Sequence, residues 1–437
     1  MRLEPSLHVT LPHGMSPLCT HFETCQHRSD PVLQHMECRK MPKCYQTKQY
    51  HLCTSTIDES SVTGNIAVIQ DAYINQLKMM HDQLLNLAVP SINNQSTNAC
   101  ICDTNPFTRL QFLQLGFGLF HLCMNLIWAL LHVHWGSIHK PGSLSYFFAI
   151  LDYYHTLLVT LLQILRGIIL DAWKVKCGYS SLATFAASKP TLSELISIAH
   201  KILKNHASLT YENPKIKGKE STTTASPNHA HHNLHILTRD LLYMLELVQA
   251  CSDDDFGACS NNYCSEILCF IFNLKKLLYR NIMHDNMLVN LTGLEGHCML
   301  IDLNIEHLIH FLKCFFTAKG VYASWDRLGD ISATVDLFLH VKKQVGQALG
   351  IGYHGITHIT PDTSACVNKI AHKVGKLRLH QYNPLREENE EFKPVVDAFY
   401  TGEQKLKSVT LSTFNRKVKN MIAGEGWEVE DDELPPA

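Results

Sequence analysis

A chain of 437 residues, 46% apolar and 18% charged, can build about two or three domains with cores of their own and is too apolar for wholesale disorder. Its formal net charge of −2 provides no global field to hold nucleic acid or an anionic membrane, so any contact with DNA needs a local basic face.

Residues 1–60 are rich in Cys, His and Pro and carry little periodicity, which predicts a poorly ordered segment. Glu4 and three early prolines (Pro5, Pro12, Pro17) interrupt it where a signal peptide would need an apolar run. The expected location is therefore intracellular, nuclear or cytoplasmic, with the 16 cysteines as thiols. Cys19, Cys25, Cys38 and Cys44 form two Cys-x5-Cys pairs. Zinc knuckles favour tighter pairs, so no metal site is expected there.

A first helical region is predicted over 61–211. It opens with a β-like run at Ile66–Ile69, followed by an amphipathic helix carrying Ile74, Leu77, Leu84 and Leu85. From Leu110 to His139 no Asp, Glu, Lys or Arg occurs, but Gln114, Gly118, His121, Asn125 and His132 share one helical stripe. This pattern predicts a buried helix with a semi-polar face and argues against a membrane span. The turn at Pro141-Gly142 should separate it from the apolar stretch Leu144–Leu170, which holds Asp152 and Arg166. A helix start is expected at Pro190 or Ser193.

Residues 212–232 have linker composition, and His229, His231, His232 and His235 read as exposed linker histidines. A second helical region is predicted over 233–423, ahead of an acidic tail, 424–437. In its helix around residues 301–316, Ile301, Ile305, Leu308 and Ile309 make an apolar stripe, and Asp302, Glu306, His310 and Lys313 a polar one. Cys298–Leu303 is the second strand candidate. Gly350, Gly352 and Gly355 match a dinucleotide fingerprint literally, but they follow a helix where the motif needs a strand, so the segment reads as a turn. Lys369, Lys373, Lys376, Arg378, Arg416, Lys417 and Lys419 form the basic face on which DNA contact could rest, against the alternative of a solvated helix surface. The fold class expected from all this is mainly α, with helical bundle-like domains.

Several long stretches carry a resemblance, among them GFGLFHLCMNLIWALLHVHWG (116–136), SSLATFAASKP (180–190), LTRDLLYMLELV (237–248) and NMLVNLTGLEGHCMLIDLNIEHLIHFLK (286–313). On these the chain resembles the basidiomycete fungal family called domain of unknown function 6589. That family's pattern is in turn similar to transposases with a ribonuclease-H-like core. The resemblance implies a small, degenerate ribonuclease-H-like sheet among the helices and an ancestral site of two Asp and one Glu holding Mg²⁺. In this chain Glu306 keeps the Glu position, Asn94 stands where relatives have Asp, and the upstream Asp segment is absent. An amide is a weak Mg²⁺ ligand, so the resemblance implies a catalytically inactive, transposase-derived relic without a retained cofactor. The alternatives are a helical scaffold or interaction protein with no catalytic ancestry, and an active nuclease that draws its missing carboxylate from Asp103 or Asp302.

Overall fold

The computed structural model of the chain describes residues 45–53, 55–59, 61–87, 89–93, 112–151, 156–207, 228–252, 288–293, 299–316, 363–383 and 394–398, with isolated helical positions between 334 and 348 and at 401 and 416. These residues are mainly helical, with two short two-stranded sheets. None of the described helices is long and apolar enough to cross a membrane. The chain divides into two compact units. The described parts of the first fall in Asn125–Gln249 and Thr360–Gly402, and those of the second in Arg39–Met124, Ala250–Ile359 and Glu403–Ala437.

In the second unit, α1 (Val62–Gln70) starts where the Ser61 side chain accepts from Gly64 N, and it runs into a π-helical turn, Asp71–Gln76. The strand expected at Ile66–Ile69 is therefore helical. A short apolar run fits either structure, and here the Ser61 cap and the Asn65 amide, bonded to the carbonyls of Glu59 and Ser61, favour the helix. After the short α2 (His81–Leu85), β1 (Val89–Asn93) pairs in parallel with β2 (Leu113–Phe117). The residues Leu113–Phe117 were expected to begin a helix. The alternation and the paired register make them a strand, and the helix α3 (Leu119–His134) starts only after Gly118. Leu84, Phe112 and Leu113 form a small core with Tyr73, whose ring meets Phe112 edge-on at 5.2 Å.

Of the expected strand at Cys298–Leu303, Cys298 lies outside the described residues, Met299–Leu300 forms β4, antiparallel to β3 (Leu288–Val289), and Ile301 already opens α9 (Ile301–Phe316). The stripes expected on α9 do not hold either: Asp302 is 6% exposed, whereas Ile305 is 43% and Ile309 36%. Packing against β1, β3 and β4 selects the Asp302 side of the helix, overriding its amphipathic pattern. Within the N-terminal segment expected to be poorly ordered, Gln46 and Thr47 are tied to this unit. Thr47 N donates to Asn290 O at 2.8 Å, and the Gln46 amide donates to Leu291 O at 2.8 Å.

In the first unit the central element is α5 (Leu157–Lys176). Its residues between Thr160 and Trp173 are buried almost all the way round, with Arg166 exposed. A helix apolar on every side has to be wrapped by others. It is preceded by α4 (Leu144–Ile150), which Ser143 caps, and Gly142 takes the left-handed turn before it at φ 95°. Beyond the short α6 (Leu182–Ala187), α7 (Leu192–His206) packs on α5. Its start is Thr191 rather than Pro190 or Ser193: the Thr191 hydroxyl accepts from Glu194 N, and the Glu194 carboxylate accepts from Thr191 N at 2.7 Å, a reciprocal box. Next, α8 (His229–Ser252) begins inside the segment read as linker. Finally α10 (Ser364–Lys376) lies along α5 through Cys366, Val367, Ile370 and Val374.

Gly167 sets the closeness of the α5–α10 contact. A Cβ there would stand 2.6 Å from Ile370 Cβ and 3.0 Å from the Val367 carbonyl oxygen. Gly167→Ala gains about 1 kcal/mol of helix propensity but loses about 1–3 kcal/mol to overpacking. Because the crowded atoms are backbone and a β-branched carbon, a net loss of stability is expected, read as a lower melting temperature. A rise would mean that α10 yields without cost.

Candidate functional site

Two polar clusters stand out, one in each unit. In the second unit, the end of β1 leads to a site built on α3 and α9. Asn93 O accepts from Gly118 N at 3.1 Å, so the strand's last residue is bonded to the glycine that precedes α3. Gly118 in turn leaves room for Asp302 on α9: a Cβ on Gly118 would fall 2.1 Å from Asp302 Oδ2. That oxygen accepts from His121 N at 3.0 Å and lies 3.1 Å from His121 Nδ1. His121 Nε2 then faces Glu306 Oε1 at 3.6 Å. Asp302 and Glu306 project from one side of α9 because they are four residues apart, and the imidazole bridges them.

The two carboxylates differ sharply in setting. The Asp302 side chain is 8% exposed and Glu306 43%. Asp302 Oδ2 caps the first turn of α3, where backbone N–H groups have no partner within their own helix. Its other oxygen, Oδ1, is buried without a hydrogen-bond partner among the described residues. Glu306 thus offers the accessible carboxylate of the group.

The structure brings His121 and Glu306 together, and it adds Asp302, which the stripe on α9 placed on a solvated face. Asn94 and Asp103 lie outside the described residues, as do the glycines at 350, 352 and 355 and the cysteines at 19, 25, 38 and 44. Of the basic residues, Lys369, Lys373 and Lys376 follow one side of α10, along the flank of its buried face. Lys376 and Arg378 are exposed, and Lys369 and Lys373 half-buried. Arg416 is an exposed helical position belonging to the other unit, and Lys417 and Lys419 lie outside the described residues.

The second cluster, in the first unit, is one that sequence reading missed. His206 ends α7, His235 sits on the second turn of α8, and His380 follows α10. They are 2%, 7% and 5% exposed, which corrects the reading of His235 as an exposed linker residue. His206 Nδ1 and His235 Nε2 are 3.3 Å apart, and His380 Nε2 lies 3.0 Å from Ile168 O. Three ring nitrogens converging in this way could hold a metal ion. Burial, reinforced by the neighbouring histidines and for His206 and His380 by Lys176, pushes the imidazoles down to about 3 (His206), about 2 (His235) and about 4 (His380).

Those shifts predict acid lability of the metal-free chain. Above the ordinary imidazole value of about 6.5 the stabilisation is complete. As the pH falls below it, the unfolded chain takes up protons that the folded chain refuses, and stability is lost towards the folded values. Asp171 works the other way. Burial raises it to about 6, so acidification from there towards 3.8 relieves a cost. Three groups outweigh one, and the urea midpoint of metal-free protein should fall between pH 6.5 and 4. A midpoint constant over that window would show the imidazoles to be solvated.

No curated protein and no solved structure matches this chain. A family model described as "Family of unknown function (DUF6589)" matches residues 5–358. The match takes in the described residues between Tyr45 and Phe316, including α3 and α9, which carry His121, Asp302 and Glu306. The chain therefore belongs to this family of unknown function.

Proposed function

We propose that this chain is a catalytically inactive, transposase-derived protein of a fungal lineage, acting inside the cell. The observation that carries the reading is the use made of Asp302. Metal-dependent phosphoryl transfer requires carboxylate oxygens free to hold two cations about 4 Å apart. Here Asp302 Oδ2 is taken up in capping α3, and Glu306 remains as the accessible carboxylate of the described cluster. The parallel pair β1–β2 with α9 packed on β1 supports descent from a nuclease core. In this reading Asn94 and Glu306 are remnant positions, and the Lys369, Lys373, Lys376 and Arg378 side of α10 is the surface left for DNA.

Purified protein incubated with supercoiled plasmid and Mg²⁺ or Mn²⁺ should leave the DNA intact. Nicking that disappears in Glu306→Gln would overturn the reading, and would restore the alternative in which Asp302 supplies the missing ligand.

A second reading, a helical interaction protein without catalytic ancestry, is favoured by a separate observation. Trp128, Trp135 and Ile138 are 72%, 49% and 55% exposed near the end of α3, more apolar surface than a solvated helix needs.

A further inference from the structure

We infer that His206, His235 and His380 form a buried site for one divalent transition metal ion of the zinc class, tying together three separate stretches of the first unit. This goes beyond the nuclease-relic reading and concerns the other unit.

The geometry is that of a ligand set. Two imidazole nitrogens bound to one zinc at about 2.0–2.1 Å with tetrahedral angles stand about 3.3 Å apart. His206 Nδ1 and His235 Nε2 are separated by 3.3 Å. A candidate ligand nitrogen from each of the three residues lies within 4.8 Å of the other two, so closing the third contact takes a small ring movement. The rings meet edge to face, His206 with His380 at 4.6 Å and His206 with His235 at 5.3 Å between centroids, rather than stacked face to face.

The surroundings orient these rings as metal ligands are commonly oriented. The backbone carbonyl of Ile168 faces His380 Nε2 at 3.0 Å and can only accept, so that nitrogen carries the proton and Nδ1 keeps the lone pair. Asp171 Oδ2 lies 3.9 Å from the same Nε2 and places a carboxylate beside the ligand set, where a buried dication needs one. The turn that delivers His380 is also fixed: Leu379 N donates to Val374 O and Arg378 N to Gly375 O, a Schellman closure with Arg378 left-handed at φ 50° and Leu379 fully buried.

If the cluster were only packing, it would be a costly one. Among the described residues, His380 Nδ1 is buried without a hydrogen-bond partner. An ion held by His206 Nδ1, His235 Nε2 and His380 Nδ1 satisfies that nitrogen and fills the gap across which the first two face each other. Neutral imidazoles select the metal class as well. Mg²⁺ and Ca²⁺ want oxygen ligands, and zinc, cobalt, nickel and copper accept nitrogen. With three protein ligands, a fourth position remains for water or one further donor.

The test uses the whole 437-residue chain carrying Cys19→Ser, Cys25→Ser, Cys38→Ser, Cys44→Ser and Cys53→Ser, so that thiolates of the N-terminal segment do not contribute. It is loaded with Zn²⁺, freed of excess by gel filtration, and analysed for metal content and by zinc X-ray absorption. One retained zinc per chain is expected, with a nitrogen shell at about 2.0–2.1 Å and no sulfur at about 2.3 Å. Absence of retained zinc, or a sulfur shell, overturns the proposal without reference to any histidine variant. His206→Gln, His235→Gln and His380→Gln should each lose the equivalent, and His200→Gln, an exposed residue of α7, should keep it. Folded histidine variants that retain the full equivalent would equally overturn it.

Discussion

Arg239→Ala is expected to destabilise the first unit by about 3–5 kcal/mol, the cost of leaving buried carboxylates without their cation. Arg239, on α8, donates through both terminal nitrogens to the two oxygens of Asp397 at 3.0 Å. Its Nε donates to Asp240 Oδ1 at 2.8 Å, and the other oxygen of Asp240 meets His134 Nε2 at 2.8 Å. Asp240 and His134 are 3% and 0% exposed at their side chains, so water cannot take over from the guanidinium. Arg239→Lys keeps the charge but loses the planar fork, and should recover only part of the loss. Combining Arg239→Ala with Asp397→Asn should be less harmful than the sum of the two, because the second change removes one stranded charge. Urea unfolding of the four proteins reads all three outcomes. Additive losses would show that Arg239 and Asp397 do not act as a pair.

Trp173→Ala should cost about 3–5 kcal/mol by a different mechanism, the loss of buried apolar surface together with the cavity left behind. Trp173 is 1% exposed and is among the largest fully buried side chains of the protein. It lies on α5, which is enclosed on nearly every side, so little of the surroundings can collapse into the space. Trp128→Ala is the internal control. At 72% exposure it should change stability by less than about 0.5 kcal/mol. Equal losses in the two variants would show that α5 is not the centre of its unit.

The sequence announced helices better than it announced which side of them is buried. Segments with sustained apolar periodicity are helical as expected, although the stretch Leu144–Leu170 holds two helices, α4 and most of α5, with Leu151 extended after the first, and the turn at Gly142 falls between α3 and α4. Short runs were harder. Ile66–Ile69 and Leu113–Phe117 exchanged identities, because a run of four or five residues is too short for its pattern to decide, and capping or strand pairing does so. On α9 the polar pattern pointed Asp302 outwards, whereas Gly118 and the start of α3 take it in.

The candidate sites follow the same logic. Glu306 came from family resemblance and His121 from a polar stripe on an apolar helix. The grouping of His206, His235 and His380 had no local signal, since each stands on a different element and no short spacing links them. The polar composition before His229 made the nearest of the three look like linker. Arg239 and Asp397, 158 positions apart, were equally invisible as a pair.

The interrupted make-up of the first unit has a consequence for synthesis. Its central helix, α5, finds its partner α10 only in the stretch after residue 360, and the bond between His380 and Ile168 joins positions 212 residues apart. At about 5–20 residues per second, a ribosome needs roughly 10–40 s to travel that distance. For that interval the nascent chain displays a 20-residue helix with apolar side chains on nearly every side and nothing yet made to cover one of them. Unlike a unit that closes as it emerges, this one has to be kept from aggregating until α10 arrives, which makes it a natural client for chaperones that hold nascent chains.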